Sequence, residues 1–205
     1  MAVRITWLGH ASVKIVGSRR TVFVDPWKLH GAAPADVVLL THDHYDHYSE
    51  TDIAALSGPS TRVVAPMSTK LVTDTVAPGK SLVVNDISVE AVPAYNIDKA
   101  FHPKANRWVG YVVTVDGLRV YHSGDTDRIP EMKGLTVDVA IVPVGGTYTM
   151  DAKQAASAVA DVSARLAIPI HFGDIVGSRK DALEFARLCA CTVHVLDPGQ
   201  TVEVG

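Results

Sequence analysis

The sequence predicts an α/β sandwich of mixed β-sheets with helices on the outside, and three observations indicate it. Over the first 125 residues, short β-branched runs are separated by Gly, Pro or Asp, as strands usually are. After Asp125, strand-like runs alternate with helical periodicity. A chain of 205 residues is long enough for one domain with a substantial core, so we expect residues 1–205 to form a single domain.

The first part of the chain is predicted to be mostly strands. The Asp-Gly pair within 115–118 and the segment 16–20 predict two hairpins, so several of these strands should be antiparallel neighbours. Helices are expected near 49–56 and 67–75. The predicted strands are RITWL, SVKIV, TVFVD, DVVLLT, RVVA, ISVEAV, WVGYVVTV and LRVYHS.

The second part is predicted to alternate strands and helices. The runs DVAIVPV, AIPIHF, TVHVL and TVEV are strand-like, and helices are expected near 151–166 and 180–190. Ala155, Val159, Val162 and Leu166 recur at helical spacing, which predicts that one face of the first of these helices is buried against a sheet.

Composition limits the partners that this chain can have. The formal net charge is −3, which gives no basic surface for nucleic acid. No apolar run approaches the roughly 20 residues that span a bilayer, and the opening residues alternate like a strand instead of a signal peptide. We therefore expect a cytoplasmic protein that acts on a small-molecule substrate and has no membrane partner, and the sequence leaves a homo-oligomer open.

A cluster of histidines and aspartates follows the apolar run DVVLL. His42, His44, Asp46 and His47 lie within six consecutive positions. A wholly apolar run predicts a buried strand, and α/β proteins commonly place their sites at the carboxyl ends of such strands. Imidazole and carboxylate groups are natural ligands of zinc and similar divalent metals, whereas burying them without a function would require a partner for each group. The cluster therefore predicts a metal site.

The run HDHYDH after an apolar strand resembles the metallo-β-lactamase superfamily, and three other blocks resemble it in the expected order. These are VFVDP, YHSGDTD and IPIHFGD. The opening TWLGHAS, the turn PVGGTYTM and the length near 200 residues resemble the ascorbate-6-phosphate lactonase-like branch of metal-dependent hydrolases. The resemblance covers nearly the whole chain and implies a four-layer αββα sandwich.

The resemblance also implies a set of metal ligands. One ion would be held by His42, His44 and a further histidine, and a second by Asp46, His47 and His171. Asp125 would bridge the two ions, and Asp25 would orient a ligand through a hydrogen bond. Asp46 and Asp125 would be the catalytic carboxylates. Zinc is the favoured ion, and manganese and iron also suit this donor set.

The third histidine of the first ion departs from the family pattern. Asn96, in VPAYN, stands where a histidine is expected. We expect His102 to replace it by an excursion of the loop. His122 is the rival, although a histidine near the end of a regular strand more often packs or donates a hydrogen bond. His10 ends the first strand and is as consistent with a structural role as with a place in the site.

The expected reaction is hydrolysis, in which a metal-bridging hydroxide attacks a lactone, carboxylic ester or phosphodiester. Lys99, Lys104 and Arg107 lie next to His102 in the sequence, so we expect them to bind an anionic or phosphorylated substrate, although an ordinary solvated loop explains them equally well. Two alternatives are a mononuclear iron dioxygenase of the same superfamily and a non-catalytic metal-binding scaffold.

Overall fold

A computed structural model describes residues 2–31 and 33–205, and in it the chain forms two mixed β-sheets with helices outside them. None of the helices in these ranges is long and apolar enough to cross a membrane. The strands are β1 (Val3–Gly9), β2 (Ser12–Val16), β3 (Thr21–Val24), β4 (Val37–Leu39), β5 (Arg62–Ala65), β6 (Asp74–Thr75), β7 (Ser81–Val84), β8 (Ile87–Pro93), β9 (Val109–Val115), β10 (Leu118–His122), β11 (Val139–Pro143), β12 (Leu166–Ile170), β13 (Thr192–Val193) and β14 (Thr201–Val204). The helices are α1 (Glu50–Leu56), α2 (Ala152–Asp161) and α3 (Arg179–Leu188), with 3₁₀ turns at Lys104–Asn106 and Pro130–Met132.

The two sheets share one design. The first has the strand order β14-β1-β2-β3-β4-β5-β6 and the second β13-β12-β11-β10-β9-β8-β7. In each sheet the hairpin-connected strands are antiparallel, and the strands beyond them, β3 to β6 and β10 to β13, are parallel. The predicted hairpins are confirmed as β2–β3 and β9–β10. The predicted α/β sandwich of two mixed sheets with flanking helices is confirmed.

Apolar side chains form the layers between these elements. In β1, Val3, Ile5 and Trp7 point inward and are almost fully buried, in the alternation that a strand with one covered face requires. They join a large core that also receives residues of α2 and α3. A smaller core lies under α1, where Ile53 and Leu56 pack on outward-facing residues of the first sheet. The molecule therefore has four layers, with helices outside both sheets.

The helix predicted near 67–75 is wrong. This segment is a turn that leads into the short strand β6, which pairs with β5. The Thr73 hydroxyl donates a hydrogen bond to the carbonyl oxygen of Val63 and accepts one from its N–H. Such side-chain bonds to a neighbouring strand compete with helical bonding. The apolar residues in this segment are only partly buried against the smaller core.

The helix predicted over 151–166 is shorter than expected. It starts after Asp151, whose side chain accepts a hydrogen bond from the backbone N–H of Gln154, and it ends at Asp161. Ser163 then adopts a φ of 50°, which turns the chain back toward the sheet. Leu166 was assigned to the helical face by its spacing, but it begins β12.

The geometry of the pairings brings the ends of several strands to one edge. In the first sheet β1, β3 and β4 run in the same direction, and in the second sheet β8, β10 and β12 do so. In each sheet, the three segments that follow these strands therefore leave at the same edge. The segments after these strands contain the histidines and aspartates discussed below.

Gly110 is expected to be essential for the close approach of β9 to the end of β10. A Cβ atom at this position would overlap the backbone carbonyl oxygens of His122 and Ser123, just before Asp125. We expect Gly110→Ala to lower the free energy of unfolding by about 1–3 kcal/mol, the usual cost of overpacking. Urea denaturation measures this change.

Gly58→Ala is the matched control, because its Cβ would meet only side-chain atoms, and none closer than 3.5 Å. An equal loss of stability in both variants would show that the close approach at Gly110 carries no special cost.

Candidate metal centre

Three histidines form the first group of candidate ligands. Nitrogen atoms of His42, His44 and His102 all lie within 4.8 Å of one another. Nε2 of His42 is 3.1 Å from Nδ1 of His44. The Trp108 ring lies against all three imidazoles, with its centroid 4.7 to 5.6 Å from theirs. Three imidazole nitrogens this close together are a donor set typical of zinc and related ions.

His102 reaches this group through the loop after β8. Asn96 lies at the start of that loop, and its Oδ1 accepts hydrogen bonds from the His102 backbone N–H at 2.9 Å and from its Nδ1 at 3.1 Å. Its backbone N–H donates to the His102 carbonyl oxygen at 2.7 Å. Because Nδ1 carries the donated hydrogen, Nε2 is left with a free lone pair. Asn96, at the position where the resemblance predicts a histidine, therefore holds His102 in the group.

The second group contains four residues. Ligand atoms of His10, Asp46, His47 and His171 lie within 4.8 Å of one another. His10 Nε2 donates to Asp46 Oδ2 at 3.0 Å, and the backbone N–H of His171 donates to the His10 carbonyl oxygen at 2.8 Å. The sequence singled out three of these residues and left His10 open. The structure brings His10 into the group.

Asp25 links the two groups by hydrogen bonds. It is fully buried, and its Oδ2 accepts from His47 Nδ1 at 2.7 Å and from the Thr41 hydroxyl at 2.6 Å. Since the Thr41 proton is donated to Asp25, the Thr41 oxygen accepts from His42 Nδ1 at 2.9 Å. Asp25 thus orients His47 directly and His42 through Thr41, and in both rings Nε2 is the nitrogen that faces the centre. This is the arrangement expected around a metal site.

Asp125 lies between the two groups. Its Oδ2 is 3.3 Å from His102 Nε2 and 3.1 Å from His171 Nε2, and its Oδ1 is 3.5 Å from His47 Nε2. None of these three nitrogens, nor Asp125 Oδ1, forms a hydrogen bond, although all are buried. Buried polar atoms without partners are costly in a native protein. Converging atoms of this kind fit divalent metal ions, with Asp125 at the position of a shared ligand.

The charges of these side chains follow from burial and their neighbours. Burial lowers the pKa of His42 well below its usual value, and the nearby His47 lowers it further. Burial acts in the same direction on His47, but Asp125 and Asp25 outweigh it and raise its pKa well above the usual value. Burial raises the pKa of Asp125, but His171 and His47 outweigh it and lower this pKa well below the usual value. The metal-free centre is therefore a network of mixed charge.

Three residues of the centre have left-handed backbone conformations. His10, Asp25 and His171 have φ values of 47°, 46° and 60°. Each directly follows the last residue of a strand: β1, β3 and β12 respectively. Only a few per cent of residues other than glycine adopt this conformation, although asparagine, aspartate and histidine do so more often than the rest. It costs about 1–3 kcal/mol per residue. Such strain is typical of functional sites.

The other histidines that were weighed lie outside both groups. His122 Nε2 donates to the Ala11 carbonyl oxygen at 2.9 Å, and its Nδ1 accepts from the Gly124 N–H at 3.2 Å. Both of its ring nitrogens are therefore in use for packing the end of β10. His30 is exposed, and His194 is half-buried near β13.

The basic residues near His102 have carboxylate partners of their own or face solvent. Lys99 Nζ is 2.5 Å from Asp127, and Lys104 Nζ is 2.9 Å from Glu131. Arg107 is exposed at the end of a 3₁₀ turn. The structure does not bring these three residues to the cavity above the centre, which is lined by His44, Tyr45, Asp46, Phe101, His102, Asp125, Tyr148, His171 and Ile175.

Two residues of the centre were not assigned to it from the sequence. Trp108 had been assigned only to a strand. His10 had a usable signal, because it directly follows a strand end in the same way as Asp25 and His171. Trp108 had no comparable signal, since a tryptophan next to a strand is usually a core residue.

Asn96 is expected to support metal binding through His102. Asn96→Ala removes the acceptor that orients this ring, so zinc affinity at the three-histidine group should fall by about 10- to 100-fold. Asn96→Asp keeps an acceptor and should restore most of the affinity. Competition with a chromophoric chelator measures it.

Asn106→Ala is the control for this comparison, because Asn106 is exposed in the same loop. Equal zinc affinities for the Asn96→Ala and Asn106→Ala proteins would contradict the positioning role.

Metal binding is expected to release a proton from His47. Its raised pKa means that the ring is protonated at pH 7 in the metal-free protein, whereas a metal ligand must be neutral. Zinc titrations at pH 7 in buffers of different ionisation enthalpy should show release of about one proton per chain from this residue. A heat of binding that does not depend on the buffer would contradict this expectation.

Comparison with known proteins places this geometry in a family. The model of the beta-lactamase superfamily domain matches residues 4–171. A UPF0173 metal-dependent hydrolase of Methanoculleus marisnigri is 33% identical, over 99% of this chain and 97% of the relative. A second, from Thermococcus onnurineus, is 30% identical over 98% of this chain and all of the relative.

Solved structures agree with this assignment. A candidate metal-dependent hydrolase of Parabacteroides distasonis is similar with a TM-score of 0.84 and 31% identity, over 97% of this chain and 94% of the other. A metallo hydrolase of Ignicoccus hospitalis shares the fold with a TM-score of 0.80 and 24% identity, over the whole of this chain and 99% of the other. The chain belongs to the metallo-β-lactamase superfamily and, within it, to the UPF0173 metal-dependent hydrolases.

Proposed function

We propose that this protein is a hydrolase that uses two divalent metal ions to cleave an ester-type bond in a small molecule. One observation carries the proposal. The buried Nε2 atoms of His47, His102 and His171 have no hydrogen-bond partners and surround the carboxylate of Asp125. The names of the relatives support metal-dependent hydrolysis as the activity. Zinc fits this donor set best, and manganese and iron also fit it.

The two groups of candidate ligands would hold the ions, and bound metal would supply a water pKa lowered from about 15.7 to near 7 and polarisation of the scissile carbonyl or phosphoryl group. The residues of the chain supply position and charge. Asp125 stays ionised, because neighbouring histidines lower its pKa, and its place between the two groups would make it a ligand for either ion. Asp46 lines the cavity, and its Oδ2 is engaged by His10, so Oδ1 is left to accept a proton. Asp25 keeps His42 and His47 in the metal-binding tautomer.

The bond that is cleaved is a lactone, a carboxylic ester or a phosphodiester. The resemblance of the PVGGTYTM turn to the lactonase-like branch makes lactones the first class to test. The described part of the cavity lining offers no serine or cysteine as an alternative nucleophile. A hydrolytic water is therefore the nucleophile that this lining supports.

Metal removal and replacement test the proposal. Chelated protein should lose activity toward lactones, esters and phosphodiesters, and zinc or manganese should restore it at about two ions per chain. Asp125→Asn should lower kcat/KM by more than about 100-fold, because loss of a shared ligand costs at least as much as loss of an orienting partner.

Asp43→Asn is the matched control. Asp43 lies inside the HDHYDH motif, but it is exposed and belongs to neither group. Equal losses in the two variants would argue against a specific role for Asp125. Full occupancy by a single iron with substrate-dependent oxygen uptake would favour the dioxygenase alternative over hydrolysis.

A further inference from the structure

The mouth of the cavity above the metal centre is apolar. Tyr45, Phe101 and Ile175 line it and are 68%, 47% and 46% exposed. Seven large hydrophobic side chains are exposed in residues 2–31 and 33–205. Tyr45, Phe101 and Ile175 are three of the seven, and all three lie at the rim of this cavity. Scattered exposed hydrophobic residues need no explanation, but a cluster of them at a cavity indicates a binding surface.

Aromatic contacts hold part of this rim in place. The Phe101 ring meets the half-buried Tyr148 ring edge-on, with centroids 4.7 Å apart. Tyr148 is tied to the loop of His102, because its carbonyl oxygen accepts a hydrogen bond from Asn96 Nδ2 at 3.0 Å. Tyr45 packs against Trp27, with centroids 6.1 Å apart. The rim therefore presents aromatic surface that is attached to the candidate ligand loops.

Away from the proposed metal ions, the lining of the cavity offers no cation to an anionic substituent. Its described lining contains no lysine or arginine, and it contains two carboxylates, Asp46 and Asp125. Two lysines on neighbouring loops are paired with carboxylates: Lys99 with Asp127, and Lys28 with Asp174 at 2.7 Å. A carboxylate or phosphate on the part of the substrate remote from the metals would therefore lose hydration and gain no charged partner.

The size of the cavity limits the substrate as well. Its volume is about 230 Å³, below the range of roughly 300–1,000 Å³ that is usual for drug-sized ligands. A larger cavity of about 510 Å³ lies behind His10, between Trp7, Trp27 and Phe172. His10 is the one member of the four-residue group that lines it, so the other candidate ligands do not face a substrate bound in that cavity.

We propose that the substrate is a small uncharged ester or lactone whose apolar substituent packs on Tyr45, Phe101 and Ile175. This inference rests on the proposed hydrolytic function. These three residues form the surface that selects the substrate. The scissile group is the one polar part of the substrate that the site binds.

Two esters that differ in one charge test the proposal. Zinc-loaded protein would be assayed with 4-nitrophenyl butyrate and with mono-4-nitrophenyl succinate, which have the same leaving group and the same number of acyl carbons. We expect kcat/KM to be at least tenfold higher for the neutral ester. Each methylene added between acetate and butyrate should raise kcat/KM by roughly two- to fourfold, in line with partial to full burial of a methylene.

Variants and a binding probe locate the surface. Phe101→Ala and Ile175→Ala should each weaken the preference for the longer neutral ester by about three- to tenfold, in line with partial loss of one apolar side chain. Leu183→Ala is the control, since Leu183 is 54% exposed on α3 and does not line the cavity. Calorimetry with the non-hydrolysable ketone 4-phenyl-2-butanone should show weaker binding to the Phe101→Ala protein than to the Leu183→Ala protein.

The outcomes separate this inference from the function on which it rests. Hydrolysis of both esters with an equal or greater rate for the succinate, or with no effect of the rim variants, would overturn the inference and leave the hydrolase intact. Binding of the ketone that depends on Phe101, without hydrolysis of any ester, would support the apolar site and overturn the proposed function. A concentration-dependent dimer that Phe101→Ala dissociates would show that the rim is a contact between two copies, which would also overturn the inference.

Discussion

The buried carboxylate of Asp25 is the contact on which the rest of the centre depends. It receives three hydrogen bonds, two of them from Thr41 and one from His47. Through these it determines which nitrogen of one histidine in each group faces inward. Either nitrogen of an imidazole can carry the proton, and only the other one can then bind a metal. A hydrogen-bonding neighbour therefore has to determine which tautomer forms. A single carboxylate sets it for two rings because it lies between the ends of β3 and β4.

The strands explain why these residues can meet at all. His10 and His171 come from different sheets and are 161 positions apart in the chain, yet a backbone hydrogen bond joins them. Both follow strands that end at the same edge of the sandwich. Packing of the rigid sheets offsets the unfavourable free energy of holding charged groups together, and the loops supply the charged residues. The large core between the sheets is thus the support of a site that is itself strained and polar.

Much of this could be predicted from the sequence, because strand periodicity and the position of polar residues after apolar runs are local signals. The sequence predicted the residues of both groups except His10, and it favoured His102 over His122; the structure brings the predicted residues together, while their roles as ligands stay predictions. The prediction of a helix near 67–75 is wrong because Thr73 bonds to Val63 of β5 instead of to its neighbours in a helical turn. Lys99 and Lys104 were expected near a substrate, but their partners Asp127 and Glu131 lie almost 30 residues away, and no local pattern shows that pairing.

The left-handed backbone at His10, Asp25 and His171 has a consequence for laboratory evolution of this scaffold. At these positions the fold accepts a narrow set of side chains on steric grounds alone, since β-branched residues are strongly disfavoured there. Libraries that randomise them would lose the members that carry β-branched residues before any selection for chemistry. New substrate preferences are therefore more accessible through exposed residues such as Tyr45 and Phe101, whose backbone is not left-handed, than through the residues that surround the reacting bond. In this protein the reaction and its selectivity would be free to evolve separately.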